Sequence, residues 1–232
     1  MRTIAIINQK GGVGKTTTAV NLSAALADAG KRVWLIDLDP QAHASLHLGF
    51  GMQEEYLSTY DVLTDNVSLD EVRHQVEDNL WLSPSHIDLA AAEMELAGAV
   101  GREIILRDRM KEVTEEFDYV IFDCPPSLGV LTLNALTTAN EVVGDVELFF
   151  EQQRQTDNSI WSNSTSFDTK IRRNIRLAEA PSYGQSIFQY SGESNGAQDY
   201  RSLAEEVLAQ TEPMADDFFE AEDEYGYSTS VG

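Results

Sequence analysis

Cysteine is nearly absent from this sequence, with one in 232 residues. A single thiol excludes an internal disulfide framework and suits a reducing cytosol. No run approaches the ~18 apolar residues that a membrane-spanning helix needs. The opening MRTIAIINQK lacks the apolar core and cleavage site of a secretory signal. Basic residues are also scarce, with 16 Lys and Arg against 39 Asp and Glu, a net charge of −23. That balance counts against nucleic acid as a partner, because phosphates reward basic surfaces. Basic residues are missing altogether from 211–232, which holds Glu212, Asp216, Asp217, Glu220, Glu222, Asp223 and Glu224. This segment has no helical periodicity and reads as a flexible acidic tail behind a domain at 1–210. Without these seven acids the body stays near −16. The excess carboxylate reads either as a solvated, salt-adapted surface or as a tail competing with DNA for a basic patch.

Apolar residues are plentiful at 42%, and the length suits one sizeable α/β domain. Thr3–Asn8 and Arg32–Asp37 are short β-branched apolar runs, as expected of buried strands. Thr16–Ala29 between them carries Ala19, Leu22, Ala25 and Leu26 near helical spacing, and Gly30 suits a helix stop. A strand, Gly-rich loop, helix and strand in this order form a βαβ unit and a parallel sheet. Mixed helical turns are predicted around Leu57–Val76, a strand at Leu80–Ser83, and amphipathic helices at Asp88–Gly98 and Glu103–Glu116. YVIFD at Tyr119–Asp123 is a further strand, Val130–Ala139 a helix, and Glu141–Val143 the start of another strand. From Gly144 to Phe167 the text turns polar and Asn/Ser-rich, with two helical turns at most in Val146–Gln153. Regular patterning is expected again over Asp168–Ile175, with a closing helix at Gly196–Gln210.

The strongest signal is Lys10-Gly11-Gly12-Val13-Gly14-Lys15-Thr16-Thr17, set between a predicted strand and a predicted helix. Glycines let the backbone wrap a phosphate, and the helix N-terminus adds partial positive charge. In such a loop Lys15 contacts the β- and γ-phosphates, the Thr16 hydroxyl goes to Mg²⁺, and Thr17 lies toward the α-phosphate. Gln9 stands where the usual motif has its first glycine. Lys10 instead adds a second cation near Lys15, which is costly unless an anion lies between or beyond them. Lys10 is therefore expected to point outward, toward phosphates held by another subunit. Asp37, Asp39 and Asp123 follow or end predicted strands, at the sheet end where α/β ligands gather. His43 and His47 stand four apart, a spacing that can chelate zinc on a helix, but no third ligand is evident. Cys124 in DCPP reads as a buried structural thiol.

The run KGGVGKTTTAVNLSAALADAGKRVWLIDLDPQ resembles the ParA/Soj family of partition ATPases, which share this deviant Walker A lysine with MinD and the nitrogenase iron protein. LSPSHIDLAAAEMELAG, FDYVIFDCPPSLGVLTLNALTTANEVV and FDTKIRRNIRLAEAPSYGQSIFQYSGESNGAQDYRSLAEEVL extend the likeness. The resemblance implies a P-loop NTPase-like α/β fold, a mostly parallel β-sheet flanked by helices. It implies ATP and Mg²⁺ as cofactors, with Lys10, Gly11, Gly12, Val13, Gly14, Lys15, Thr16 and Thr17 holding nucleotide. Thr16, Asp39 and Asp123 would hold the metal, Asp39 would position the attacking water, and Lys10, Lys15 and Asp39 would be catalytic. Family members carry a Pro-Arg-Asn step near the adenine. Here it reads Arg172-Arg173-Asn174, and Asn174 is the candidate for the base contact.

The same resemblance implies an ATP-dependent homodimer in the cytoplasm, associated with the nucleoid when ATP-bound. It further implies nonspecific DNA binding, stimulation by a ParB-type DNA-binding protein, and a plasmid or chromosome as cargo. Lys170, Arg172, Arg173 and Arg176 form the densest basic cluster and are the candidate DNA contacts. MinD ends in a basic amphipathic membrane helix and this chain in acid, so no membrane partner is expected. Family members have about 65–70 residues where Gly144–Phe167 supplies 24, which shortens the C-terminal half of the fold. That leaves two alternatives beside a partition ATPase. One is an internally deleted paralogue that binds nucleotide without productive hydrolysis, and the other a family ATPase that positions another cargo.

Overall fold

The computed structural model describes residues 1–51, 56–113, 116–143 and 167–210. The irregular stretch from Gly144 and the acidic tail at 211–232 fall outside these residues, apart from Phe167.

Six strands form one sheet: β1 (Arg2–Ile6), β2 (Val33–Asp37), β3 (His74–Glu77), β4 (Leu80–Ser83), β5 (Tyr119–Asp123) and β6 (Glu141–Val143), in the spatial order β3-β4-β2-β5-β1-β6. All pairings are parallel except β3 with β4. Every residue of β1, β2 and β5 is buried, as expected of central strands covered on both faces. Alternate residues of one strand serve opposite faces. Ile4 and Ile6 join Val33, Leu35 and Ile121 in one core, whereas Ala5, Trp34, Ile36, Val120 and Phe122 line the other.

The first face is covered by α1 (Lys15–Asp28) and α9 (Asn195–Ala209), with α2 (His43–His47), α7 (Ile175–Glu179) and α8 (Ile187–Ser191) around them. Nine consecutive residues of α1, Ala19–Ala27, are buried, so small side chains suit a helix surrounded by protein. Gly30, at φ 80°, closes it: Gly30 N–H bonds Ala27 O and Lys31 N–H bonds Leu26 O. The second face carries α3 (Thr59–Thr64), α4 (Leu89–Glu95), α5 (Ile105–Lys111) and α6 (Val130–Thr138).

Three expectations are corrected. The helical reading of Leu57–Val76 fails at its end, where His74–Glu77 is an antiparallel strand. Its cause is the turn Asp78-Asn79, with Asn79 at φ 59°, a left-handed geometry that asparagine tolerates and that folds β3 back on β4. Regular patterning over Asp168–Ile175 also fails: 167–174 holds neither helix nor strand, and α7 starts only at Ile175. The backbone amides there find side-chain acceptors instead, as described below. The predicted helix at Glu103–Glu116 is shorter, spanning Ile105–Lys111.

Candidate nucleotide site

The register brings the site together. Ile6 pairs with Asp123, and Asp123 pairs with Asp37, so β1, β5 and β2 end side by side. The Gly-rich loop leaves the end of β1 and returns as α1. Gly12 and Gly14 have φ 74° and 93°, a left-handed backbone that side chains rarely adopt. A Cβ placed on Gly11, Gly12 or Gly14 would meet nothing within 4 Å, so these glycines border open space. Gly14 caps α1 without any side-chain hydrogen bond, and no acid sits in the first turn. The amide end of this 14-residue helix therefore keeps its partial positive charge for an external anion. Lys15, Thr16 and Thr17 are half-buried in that turn, and Lys10 is exposed, its N–H donating to Asn8 Oδ1 at 2.9 Å.

The three carboxylates differ. Asp37 is fully buried yet well served: Oδ2 accepts from Ser45 N–H (2.9 Å) and Ser45 Oγ–H (2.7 Å), and Oδ1 from Asp39 N–H (3.1 Å). Burial pushes its carboxyl up to about 6, against those hydrogen bonds. Asp39 Oδ1 accepts from Gln41 N–H (2.9 Å), and its carbonyl accepts from Ser85 Oγ–H (2.7 Å). Asp123 is fully buried, and neither of its oxygens accepts a hydrogen bond of normal geometry among the described residues. Burial, then the charge of Asp37, hold its carboxyl well above the usual range, while the Thr16 hydroxyl and the Lys15 charge act in the opposite direction.

A buried, unpartnered carboxylate beside a lysine and a threonine hydroxyl is what a hydrated Mg²⁺ between protein and phosphate requires. Among the described residues no three His, Cys, Asp or Glu side chains are grouped to hold a metal by themselves. The donor set therefore fits a cation that takes most of its ligands from phosphate and water. It does not fit a dedicated protein cage. His47 is buried, with Nε2 unpartnered, and its imidazole is lowered to about 4 by burial. Cys124 is buried and free.

Ser45, Ser85 and the acids of α9 were not singled out by sequence. Ser45 lies eight positions from Asp37, and no motif spacing marks it. The basic cluster is not a patch of four free cations. Arg172 is paired with Asp199 (2.6 Å) and Arg176 with Glu179 (2.8 Å). Lys170 and Arg173 have no ion pair among the described residues. Asn174 is extended (φ −140°, ψ 127°), and its side-chain oxygen caps α7 by accepting Arg176 N–H at 2.9 Å.

Comparison with known proteins agrees with this geometry. The family model AAA_31, an AAA domain, matches residues 1–172. The sporulation initiation inhibitor protein Soj of Bacillus subtilis is 38% identical over 247 aligned positions, covering 89% of this chain and 98% of the relative. This chain belongs to the ParA/Soj family of P-loop partition ATPases. The chromosome partitioning protein ParA of Myxococcus xanthus is 34% identical, covering 92% of this chain and 90% of the relative. Among solved structures, a cobyrinic acid a,c-diamide synthase from Mycobacterium smegmatis, with bound ATP analogue and magnesium, is 31% identical. It superposes with a TM-score of 0.70, covering 90% of this chain and 94% of that one. Nucleotide and magnesium are thus features of structural relatives of this fold. The Soj match contains more positions than the chain contributes. Since 89% of 232 residues is about 206, about 40 of the 247 positions face gaps in this ParA/Soj chain. Among the described residues no helix is long and apolar enough to cross a membrane.

Proposed function

We propose that this ParA/Soj-family protein binds Mg·ATP in the loop at 9–17 and hydrolyses it slowly, in the service of plasmid or chromosome partitioning. The observation that carries the reading is the Asp123 carboxylate, buried without a hydrogen bond beside the first turn of α1. An ionised carboxylate so placed is stabilised by a cation. Lys15 and the α1 amides bind and orient the phosphates, with Gly11, Gly12, Val13 and Gly14 approaching by backbone and Thr17 lying toward the α-phosphate. Thr16, Asp123 and Asp39 would hold Mg²⁺, which neutralises phosphate charge when bound. Asp39, fixed by Gln41 and Ser85, orients the attacking water. Asn174 contacts the adenine. Lys10, exposed at the loop's edge, reaches the phosphates of a second copy in an ATP-dependent homodimer.

The dimer binds DNA without sequence preference and is cytoplasmic and nucleoid-associated, and a ParB-type partner stimulates hydrolysis. No membrane partner is proposed. Of the basic cluster, Lys170 and Arg173 are the more available DNA contacts, since Arg172 and Arg176 already face carboxylates. Hydrolysis is tested against Lys15→Ala with Mg·ATP. A native rate equal to that of the variant overturns the enzyme reading. A second reading, nucleotide binding without productive turnover, is favoured by the shortfall of about 40 aligned positions. It requires ATP affinity in the native chain with no turnover above Lys15→Ala.

A further inference from the structure

The segment 167–174, which bears the proposed base contact Asn174, has no strand ladder or helix of its own. Two carboxylates of α9 hold it. Glu206 accepts from Asp168 N–H (2.9 Å) and from the Thr169 hydroxyl. Asp199 Oδ2 accepts from Arg172 N–H (2.8 Å). Seven residues separate Asp199 from Glu206, close to two helical turns, so both project from one face of α9. The Arg172 side chain then folds back on Asp199, with Nε and an Nη 2.9 and 2.6 Å from Oδ1. The Asp199 side chain is only 9% exposed and the Arg172 side chain 57% exposed, so the carboxylate is covered while the guanidinium meets solvent.

The same turns of α9 touch two segments that carry proposed nucleotide contacts. A Cβ on Gly196 would lie 2.8 Å from Leu177 Cγ and 3.2 Å from Asn174 Nδ2, so Asn174 rests on the first turn of α9. Tyr200, the neighbour of Asp199, shares a 3.2 Å hydrogen bond with Thr18, on the helix that begins at Lys15. Asp199 and Tyr200 thus join the segment bearing Asn174 to the helix bearing the phosphate residues. A proline at 172 would have no N–H to give but would stiffen the chain itself. Arginine lacks that stiffness and supplies an N–H that requires an acceptor.

We propose that Asp199 is a positioning residue: by holding Arg172 through backbone and side chain, it sets Asn174 in place to recognise the base of the bound nucleotide. The proposal rests on the nucleotide reading above. Asp199→Asn is compared with the native protein for affinity toward fluorescent ATP and GTP analogues, with amide exchange at 168–174 measured without nucleotide. The expected result is faster exchange in that segment, ATP affinity weakened about tenfold with GTP affinity unchanged, and a raised KM at constant kcat. The pair Arg172→Pro with Asp199→Val, which replaces the held backbone by a stiff one, restores ATP preference. If Asp199→Asn does not fold, Asp199→Glu takes its place, with the same direction expected. A folded variant with native ATP affinity and preference overturns the inference alone. A native protein that binds no Mg·ATP overturns the nucleotide reading, and the inference with it.

Discussion

Asp37 and Asp123 end neighbouring strands in direct register, yet among the described residues only Asp37 accepts hydrogen bonds of normal geometry. The sheet sets two buried carboxylates side by side and neutralises one with a serine hydroxyl and two backbone amides. The other is left to whatever binds at the mouth of the phosphate loop. That asymmetry divides a supporting acid from a working one, and it makes the two separable by mutation.

Asp123→Asn removes a buried carboxyl that burial holds well above the usual range. Stability tied to a raised carboxyl is lost as pH rises, and a neutral amide does not titrate, so the ligand-free variant is expected to be more stable than the native protein toward high pH, by about 1–3 kcal/mol. Thermal unfolding without nucleotide reads this as a rise of several degrees. The same variant loses the Mg²⁺-dependent part of ATP binding, measured by titration with and without chelator. Greater stability with lost cation dependence marks a site strained for function.

Ser45→Ala acts on the opposite partner. Ser45 Oγ donates to Asp37 and accepts from Ser85 N–H at 2.9 Å, with all three residues fully buried. Alanine leaves a carboxylate oxygen short of a donor and an amide without its acceptor, a cost of about 1–3 kcal/mol. Denaturant unfolding is expected to show a lower midpoint with an unchanged slope. An unaltered midpoint would mean that water replaces the hydroxyl and that the α2–β4 connection does not depend on it.

How far these parts are legible in sequence follows from where their hydrogen bonds go. β1, β2 and β5 are joined through backbone with β5 in the middle and are mostly apolar, so their runs stand out and the ends of β2 and β5 place Asp37 and Asp123 side by side. The phosphate loop is equally visible, because only glycine provides its left-handed turns at Gly12 and Gly14. β3 was hidden because four mixed residues carry too little alternation, and only Asn79 in its turn signals it. The 168–174 segment was illegible because its amides bond to side chains 27 and 38 residues further on. The pairing of Arg172 with Asp199 is illegible for the same reason: sequence records charge but not its partner.

Charge reversal in the basic cluster is expected to separate DNA contact from scaffolding. Arg173→Glu weakens nonspecific DNA binding and reduces its salt slope by about one, leaving thermal stability unchanged. Arg172→Glu instead sets a carboxylate against Asp199 and lowers the unfolding temperature. Fluorescence anisotropy with duplex DNA at several salt concentrations, beside melting curves, distinguishes them. DNA affinity unaffected by Arg173→Glu would remove this face from the interface.

His47 supplies the pH dependence. Its imidazole is buried with Nε2 unpartnered, and burial lowers it to about 4 from an ordinary 6.5, against a backbone hydrogen bond with Gln185. The unfolded chain therefore binds a proton between pH 6.5 and 4 that the folded chain refuses. Stability rises with pH across that window and is lost as pH falls through it. A shift of this size is worth about 3 kcal/mol at the acid end. The carboxyl of Asp37, raised to about 6, works in the opposite sense over part of the same range, so the net curve understates the histidine. The difference between native protein and His47→Leu isolates it. Unfolding free energies are expected to diverge by a constant amount above pH 7, with the native protein losing ground steadily toward pH 4. A difference that is flat from pH 7 to 4 would mean that His47 is protonated inside the fold, with Nε2–H donating to an acceptor or to water.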